Sequence, residues 1–173
     1  MKVNPINTIT QPEIRQAALQ KYNSYGSEWK KAYFDKYSAG YNVYHKDHKF
    51  SQTGGGGEAE MIVGEMLAKF NGKQVEFLPE GDKKSADIRF DNRTWDIKYI
   101  DNANDETIRT YIRDARKADN AIFYWSYEKD KLEELRKAII REVGRMQKMN
   151  RLNEMPDIHY MDKFGLLKLA WKK

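Results

Sequence analysis

Apolar and polar residues alternate along this chain in two distinct rhythms, and the rhythm changes at places where turn residues cluster. Between residues 58 and 70, Ala59, Ile62, Val63, Met66, Leu67 and Phe70 recur at helical spacing, and Asn71-Gly72 closes the helix. Residues 74–78 read as a strand ended by Pro79. Residues 85–90 and 94–100 alternate strictly, which predicts two strands joined by a tight turn at Asn92-Arg93. A second amphipathic helix is predicted over 105–117, with Ile108, Tyr111, Ile112 and Ala115 inward. Residues 121–127 form an almost unbroken apolar run, as in a strand covered on both faces. A long helix over 131–149 places Leu132, Leu135, Ile139, Val143 and Met146 inward. Two short strands, 158–161 and 166–171, close the chain around Lys163-Phe164-Gly165.

The order from residue 58 onward is therefore α-β-β-β-α-β-α-β-β, an α/β (α+β) class with a central mixed sheet flanked by helices. The first third differs. A short helix is expected over 12–22 with Ile14, Ala17, Ala18 and Tyr22 on one face, followed by an aromatic run in which Tyr22, Tyr25, Trp29 and Tyr33 share a helical stripe. Gly54 to Gly57 is the clearest flexible punctuation, so residues 1–53 are expected as a helical, aromatic-rich extension and 54–173 as the main domain. The stripe serves either as cover over the core or as a stacking platform for bases.

Alternation also places polar residues together. With a two-residue turn at Asn92-Arg93, Ile88 faces Ile97, Phe90 faces Trp95 and Ala86 faces Tyr99, giving one apolar face. On the other face Asp87 sits opposite Lys98 and Arg89 opposite Asp96. A solvated face with ordinary cross-strand ion pairs would give the same pattern. The surrounding helices and buried strand argue against a free surface and bring Asp87, Asp96 and Lys98 together.

Composition narrows the chemistry. Hydrophobic residues make up 40% of the chain, which is ordinary for a globular domain. No cysteine is present, which excludes disulfides and thiolate metal sites. The 31 Lys and Arg against 26 Asp and Glu give a charge of +5, which favours polyanionic partners such as nucleic acid. No apolar run is long enough for a membrane span, and Met1-Lys2-Val3-Asn4-Pro5 lacks the apolar stretch of a signal peptide, so a cytoplasmic site of action is expected.

Ser85-Ala86-Asp87, an eight-residue gap and Asp96-Ile97-Lys98 resemble the paired acid and D-X-K elements of PD-(D/E)XK nucleases, and the α-β-β-β-α-β order is similar to that superfamily's core. Tyr41 to His48, the glycine-rich link to Glu58-Ala59-Glu60, and Trp95-Asp96-Ile97-Lys98 more narrowly resemble C-terminal tRNase-type domains of contact-dependent growth-inhibition toxins and related polymorphic or phage-borne toxins. Ala86 stands where the superfamily usually has proline.

The resemblance implies a Mg²⁺- or Mn²⁺-dependent endonuclease acting on nucleic acid, tRNA or DNA. Asp87, Asp96 and a helix glutamate would hold the cation and Lys98 would serve catalysis. It also implies delivery from another cell or a phage, and a cognate immunity protein as partner. A helical wheel puts Glu60 and Glu58 on the flanks of the apolar face, with Glu60 slightly favoured. Arg109, Arg113, Arg116 and Lys117 either grip phosphates or form a plain solvated face. Lys46 and His48 are expected to touch substrate, and His45 and His48 to lie in an exposed loop. The alternative is a non-catalytic nucleic-acid-binding or interaction domain of the same fold, from a phage or mobile element.

Overall fold

A computed structural model describes residues 11–52, 54–81, 85–126 and 130–173. Eight strands form one mixed sheet in simple sequential order: β1 (Trp29–Phe34), β2 (Tyr41–His45), β3 (Gln74–Phe77), β4 (Ile88–Phe90), β5 (Arg93–Tyr99), β6 (Asn120–Tyr124), β7 (Asp157–Met161) and β8 (Leu167–Trp171). Neighbours β2/β3, β5/β6 and β6/β7 are parallel, and the others are antiparallel. Each parallel pair needs a crossover, and three helices supply them: α2 (Gly56–Asn71), α3 (Asp105–Asp114) and α4 (Leu132–Lys148). A further helix, α1 (Pro12–Ser24), precedes the sheet.

The period-two pattern sorts the sheet's side chains to opposite faces. Trp95 and Ile97 of β5 pack with Ala59, Val63 and Leu67 of α2. Ala121 and Phe123 of β6, with Ile158 of β7, pack beneath Ile108 and Ile112 of α3 and Leu135, Ile139 and Met146 of α4. Strand β6 lies between these layers and is buried throughout, as its apolar run predicts. Helix α2 ends where Gly72, at φ 61°, donates its amide to the Ala68 carbonyl. Helix α3 begins where the Asn104 side chain accepts the Thr107 amide at 2.9 Å.

Three sequence expectations need correction. The β4/β5 turn is Asp91-Asn92, at φ 51° and 58°, rather than Asn92-Arg93. Both positions are left-handed, which Asp and Asn tolerate and Arg resists. Ile88 consequently pairs with Trp95, Arg89 with Thr94 and Phe90 with Arg93. The register slips by two, so each side chain keeps its face but changes its partner. Arg89 bonds Glu76 on β3 rather than facing Asp96.

The aromatic run is the second correction, because helix ends at Ser24 and Trp29 and Tyr33 lie in a strand. Residues 29–45 form a hairpin whose second strand lies beside β3, with Tyr41 and Val43 fully buried. Tyr22 packs on Phe34 and Tyr41, with centroids 5.4 and 5.3 Å apart, so those rings cover core. The residue-53/54 boundary falls in the connection between β2 and α2. Thirdly, Ile14 of α1 is exposed, and Ala18 is the buried residue of that helix.

Because β2 fills the flank of β3, deletion of residues 1–53 is expected to abolish cooperative unfolding, read by circular dichroism during heating. Tyr41→Ala alone should cost about 3–5 kcal/mol of stability in a denaturant titration. A stable truncated protein with a sharp melt would refute this role.

Candidate functional site

The polar face of β5 supplies the first members of the site. Asp96 is completely buried, and Lys98 follows two residues later on the same face. The Lys98 ammonium lies 2.6 Å from Asp96 Oδ2. A second ammonium, from Lys117, lies 2.7 Å from Asp96 Oδ1 and 3.4 Å from Asp87 Oδ1. The sequence reading put Lys98 between the two carboxylates. Lys117 occupies that bridging place, and Lys98 is ion-paired with Asp96.

Local structure explains these positions. Backbone pairing of β4 with β5 reaches the bond from the Asp87 amide to the Trp95 carbonyl, and beyond it the strands part. The Ile97 amide on β5 is then taken by the Asp87 carboxylate, which accepts it at 2.7 Å. Lys117 ends a single 3-10 turn, Ala115–Lys117, that continues α3. Asp119 accepts both the amide and the hydroxyl of Thr94 at 2.9 Å, which ties this turn to the start of β5.

A cleft of about 400 Å³ opens over the group, lined by Glu60, Asp87, Lys98, Lys117, Tyr99 and Tyr111 among others. Of the two helix glutamates considered, Glu60 lines this cleft; Glu58 is exposed and is not among its lining residues. Gly56 and Gly57 open α2 ahead of Glu60 and are packed against Ser51, whereas Gly54 and Gly55 before them are exposed. A Cβ at Gly57 would sit 2.5 Å from the Ser51 carbonyl oxygen, so only glycine lets α2 start there.

His48 is the largest departure from expectation. Its side chain is 2% exposed, so it cannot meet a substrate from the surface. Nδ1 contacts the Leu78 carbonyl at 2.7 Å, and Nε2 lies 3.4 Å from Glu60 Oε2. Burial pushes the imidazole pKa down, but the Glu60 carboxylate and Leu78 carbonyl outweigh it and leave the pKa raised. His45 is half-buried and packs edge-on against Trp29, and Lys46 is an exposed partner of Glu28 at 2.8 Å.

The basic helix divides as well. Arg109 contacts the buried Glu142 at 3.3 Å, and Arg116 contacts Glu154 at 3.0 Å, so both have structural partners. Arg113 is exposed and contacts only its neighbour Asp114 among the described residues, at 3.6 Å.

The donor set can be tested against a hard divalent cation. The oxygens of buried Asp96 are each held by one lysine ammonium, at 2.6 and 2.7 Å. Glu60 Oε2 is also buried, with His48 Nε2 3.4 Å away. Such carboxylate oxygens suit Mg²⁺ or Mn²⁺, which take oxygen ligands and retain water. Among the described residues no three His, Asp or Glu groups form a ready-made metal cage, so the fit rests on the Asp87–Asp96 pair with Glu60 beside it.

Burial and the Asp96 charge hold the Asp87 carboxyl up at about 7, against the opposing pull of Lys117. A folded-state pKa above the unfolded value favours the protonated form, so the associated stability is present at low pH and lost as pH rises through about 7. Asp87→Asn mimics that form. In metal-free protein it should melt like the parent at pH 4 and on the order of 5 °C higher at pH 8. A gap between the melting curves that does not widen with pH would show that Asp87 is not strained by its surroundings.

No family model matches the chain, and comparison with curated proteins and with solved structures found no similar protein.

Proposed function

We propose that this chain is a divalent-cation-dependent nuclease of PD-(D/E)XK type that hydrolyses phosphodiester bonds of nucleic acid, structured RNA such as tRNA before DNA. The observation that carries the reading is the fully buried Asp96 carboxylate, ion-paired at 2.6 and 2.7 Å with Lys98 and Lys117, two lysines that line a cleft together with Asp87 and Glu60. A purely structural ion cluster would be a poor use of that volume, because apolar side chains generally fill it at equal or lower cost. Groups with displaced titration at a cleft are more often catalytic.

Asp87, Asp96 and Glu60 would hold Mg²⁺ or Mn²⁺. The cation would supply charge neutralisation at the scissile phosphate and a more acidic bound water. The protein's own groups do the rest. Lys98 and Lys117 carry positive charge at the carboxylates and compensate the oxygens that become more negative during attack. The two ammoniums also offset the repulsion that Asp87, Asp96 and Glu60 would otherwise exert on a phosphate. Arg113 is the helix cation best exposed for a backbone phosphate. If the domain is an effector, a protein inhibitor with an acidic surface would be its natural cover.

Incubation with tRNA, plasmid and single-stranded DNA, each with Mg²⁺, Mn²⁺ or EDTA, tests the reading. Cleavage that needs the cation is expected, and cleavage that survives EDTA, or none at all, would overturn it. Asp96→Asn, Lys98→Ala and Lys117→Ala should each lower turnover by about 100-fold or more, assayed below melts that fall because each change leaves a buried charge without its partner. Arg113→Ala should weaken substrate binding and reduce its salt slope by about one unit without changing turnover at saturation. Arg116→Ala should instead lower stability slightly, through the loss of one of Glu154's two arginine partners.

A further inference from the structure

The His48–Glu60 contact lies behind the carboxylate pair, and the catalytic proposal above makes no use of His48. Its ring is fixed on three sides. Phe50 packs edge-on with centroids 4.7 Å apart, and Phe77 does so at 5.1 Å. The Leu78 carbonyl takes the third side at 2.7 Å from Nδ1. A carbonyl oxygen only accepts hydrogen bonds, so Nδ1 carries a hydrogen. The remaining polar edge, Nε2, faces Glu60 Oε2 at 3.4 Å, with both side chains buried.

Helix α2 leaves Glu60 no other anchor at Oε2 among the described residues. Glu60 sits one turn into a helix whose first residues press on Ser51, next to Phe50. The segment that carries the histidine therefore also sets the start of the helix that carries the glutamate.

We propose that His48 is a positioning residue, a buried imidazole that aims the Glu60 carboxylate into the cleft toward the divalent cation. The inference rests on the nuclease reading, in which Glu60 is a ligand. Partners that orient ligating side chains are worth about 10- to 100-fold in metal affinity. Of the three carboxylates proposed as ligands, Glu60 is the one His48 contacts, so its removal should weaken metal binding only while Glu60 is present.

Two measurements on the full chain test this. Calorimetric titration with Mn²⁺ should show His48→Ala weakening affinity by about 10- to 100-fold, and His48→Gln, whose amide can reach Glu60, retaining most of it. In a Glu60→Gln background, His48→Ala should cause no further loss. Additive losses, or a His48→Ala variant that binds like its parent, overturn the positioning role and leave the nuclease reading intact. A parent that takes up no cation overturns both. The second measurement needs no metal and does not depend on an alanine variant folding. In ¹⁵N-histidine spectra of the parent, Nδ1 of His48 should be protonated, and Glu60→Gln should move the Nε2 resonance while leaving Nδ1 in place. An Nε2 signal that ignores the Glu60 substitution overturns the proposal.

Discussion

A carboxylate with no contact with solvent must be compensated from within, and Asp96 imposes that demand on everything around it. Its two oxygens face ammonium groups from different elements, Lys98 on β5 itself and Lys117 on the turn after α3. Lys117 is in turn shared with Asp87, whose other oxygen closes the Ile97 amide. Burial opposes the charge on Lys117, yet the two carboxylates raise its pKa and keep it cationic. Removing one member therefore leaves another charge buried and unpaired, the situation that costs most. The cluster is coherent only as a whole, and a cation entering among the carboxylates would relieve the same repulsion that raises Asp87.

Sheet geometry makes such a cluster possible. Where β4 and β5 pair, their backbone groups satisfy one another and side chains lie flat on two packed faces. Past Asp87 the strands separate, and that parting creates both an unpaired amide and room for a cleft. Helix α2 on one face and the α3 turn on the other converge on the gap, so Glu60 and Lys117 approach from opposite layers. The site lies where regular pairing ends because side chains can replace backbone partners only there.

Much of this was legible in the sequence, for identifiable reasons. Helices α2, α3 and α4 and the strands after residue 70 follow from periodicity, since each has one apolar face and a marked stop. The grouping of Asp87, Asp96 and Lys98 survived a wrong turn, because a slip of two residues preserves side-chain faces. What failed was partner identity, which depends on register, and register depended on whether Asp91 or Arg93 takes a left-handed conformation. Lys117 could be read only as part of a basic helix face, since nothing local signals that α3 tightens into a 3-10 turn and swings it inward. The aromatic run misled for a related reason. Tyr and Trp spaced by three and four fit a helix on paper, but β-favouring residues from 29 to 45 found an open sheet edge.

His48 marks the limit of pattern reading most clearly. Flanked by Lys46, Asp47 and Lys49, it has every sign of a solvated loop. Its burial comes from partners far along the chain, Leu78 and Phe77 at the end of β3 and Glu60 on α2. A charged run therefore says little about the one ring within it that faces inward, since a single side chain can be drawn into the core while its neighbours remain in water. For the same reason a polar residue held by apolar rings, with one edge left toward a cleft, is better explained by what that edge touches than by its sequence neighbours. At His48 that edge touches Glu60, which gives a histidine in a charged loop a reason to be buried.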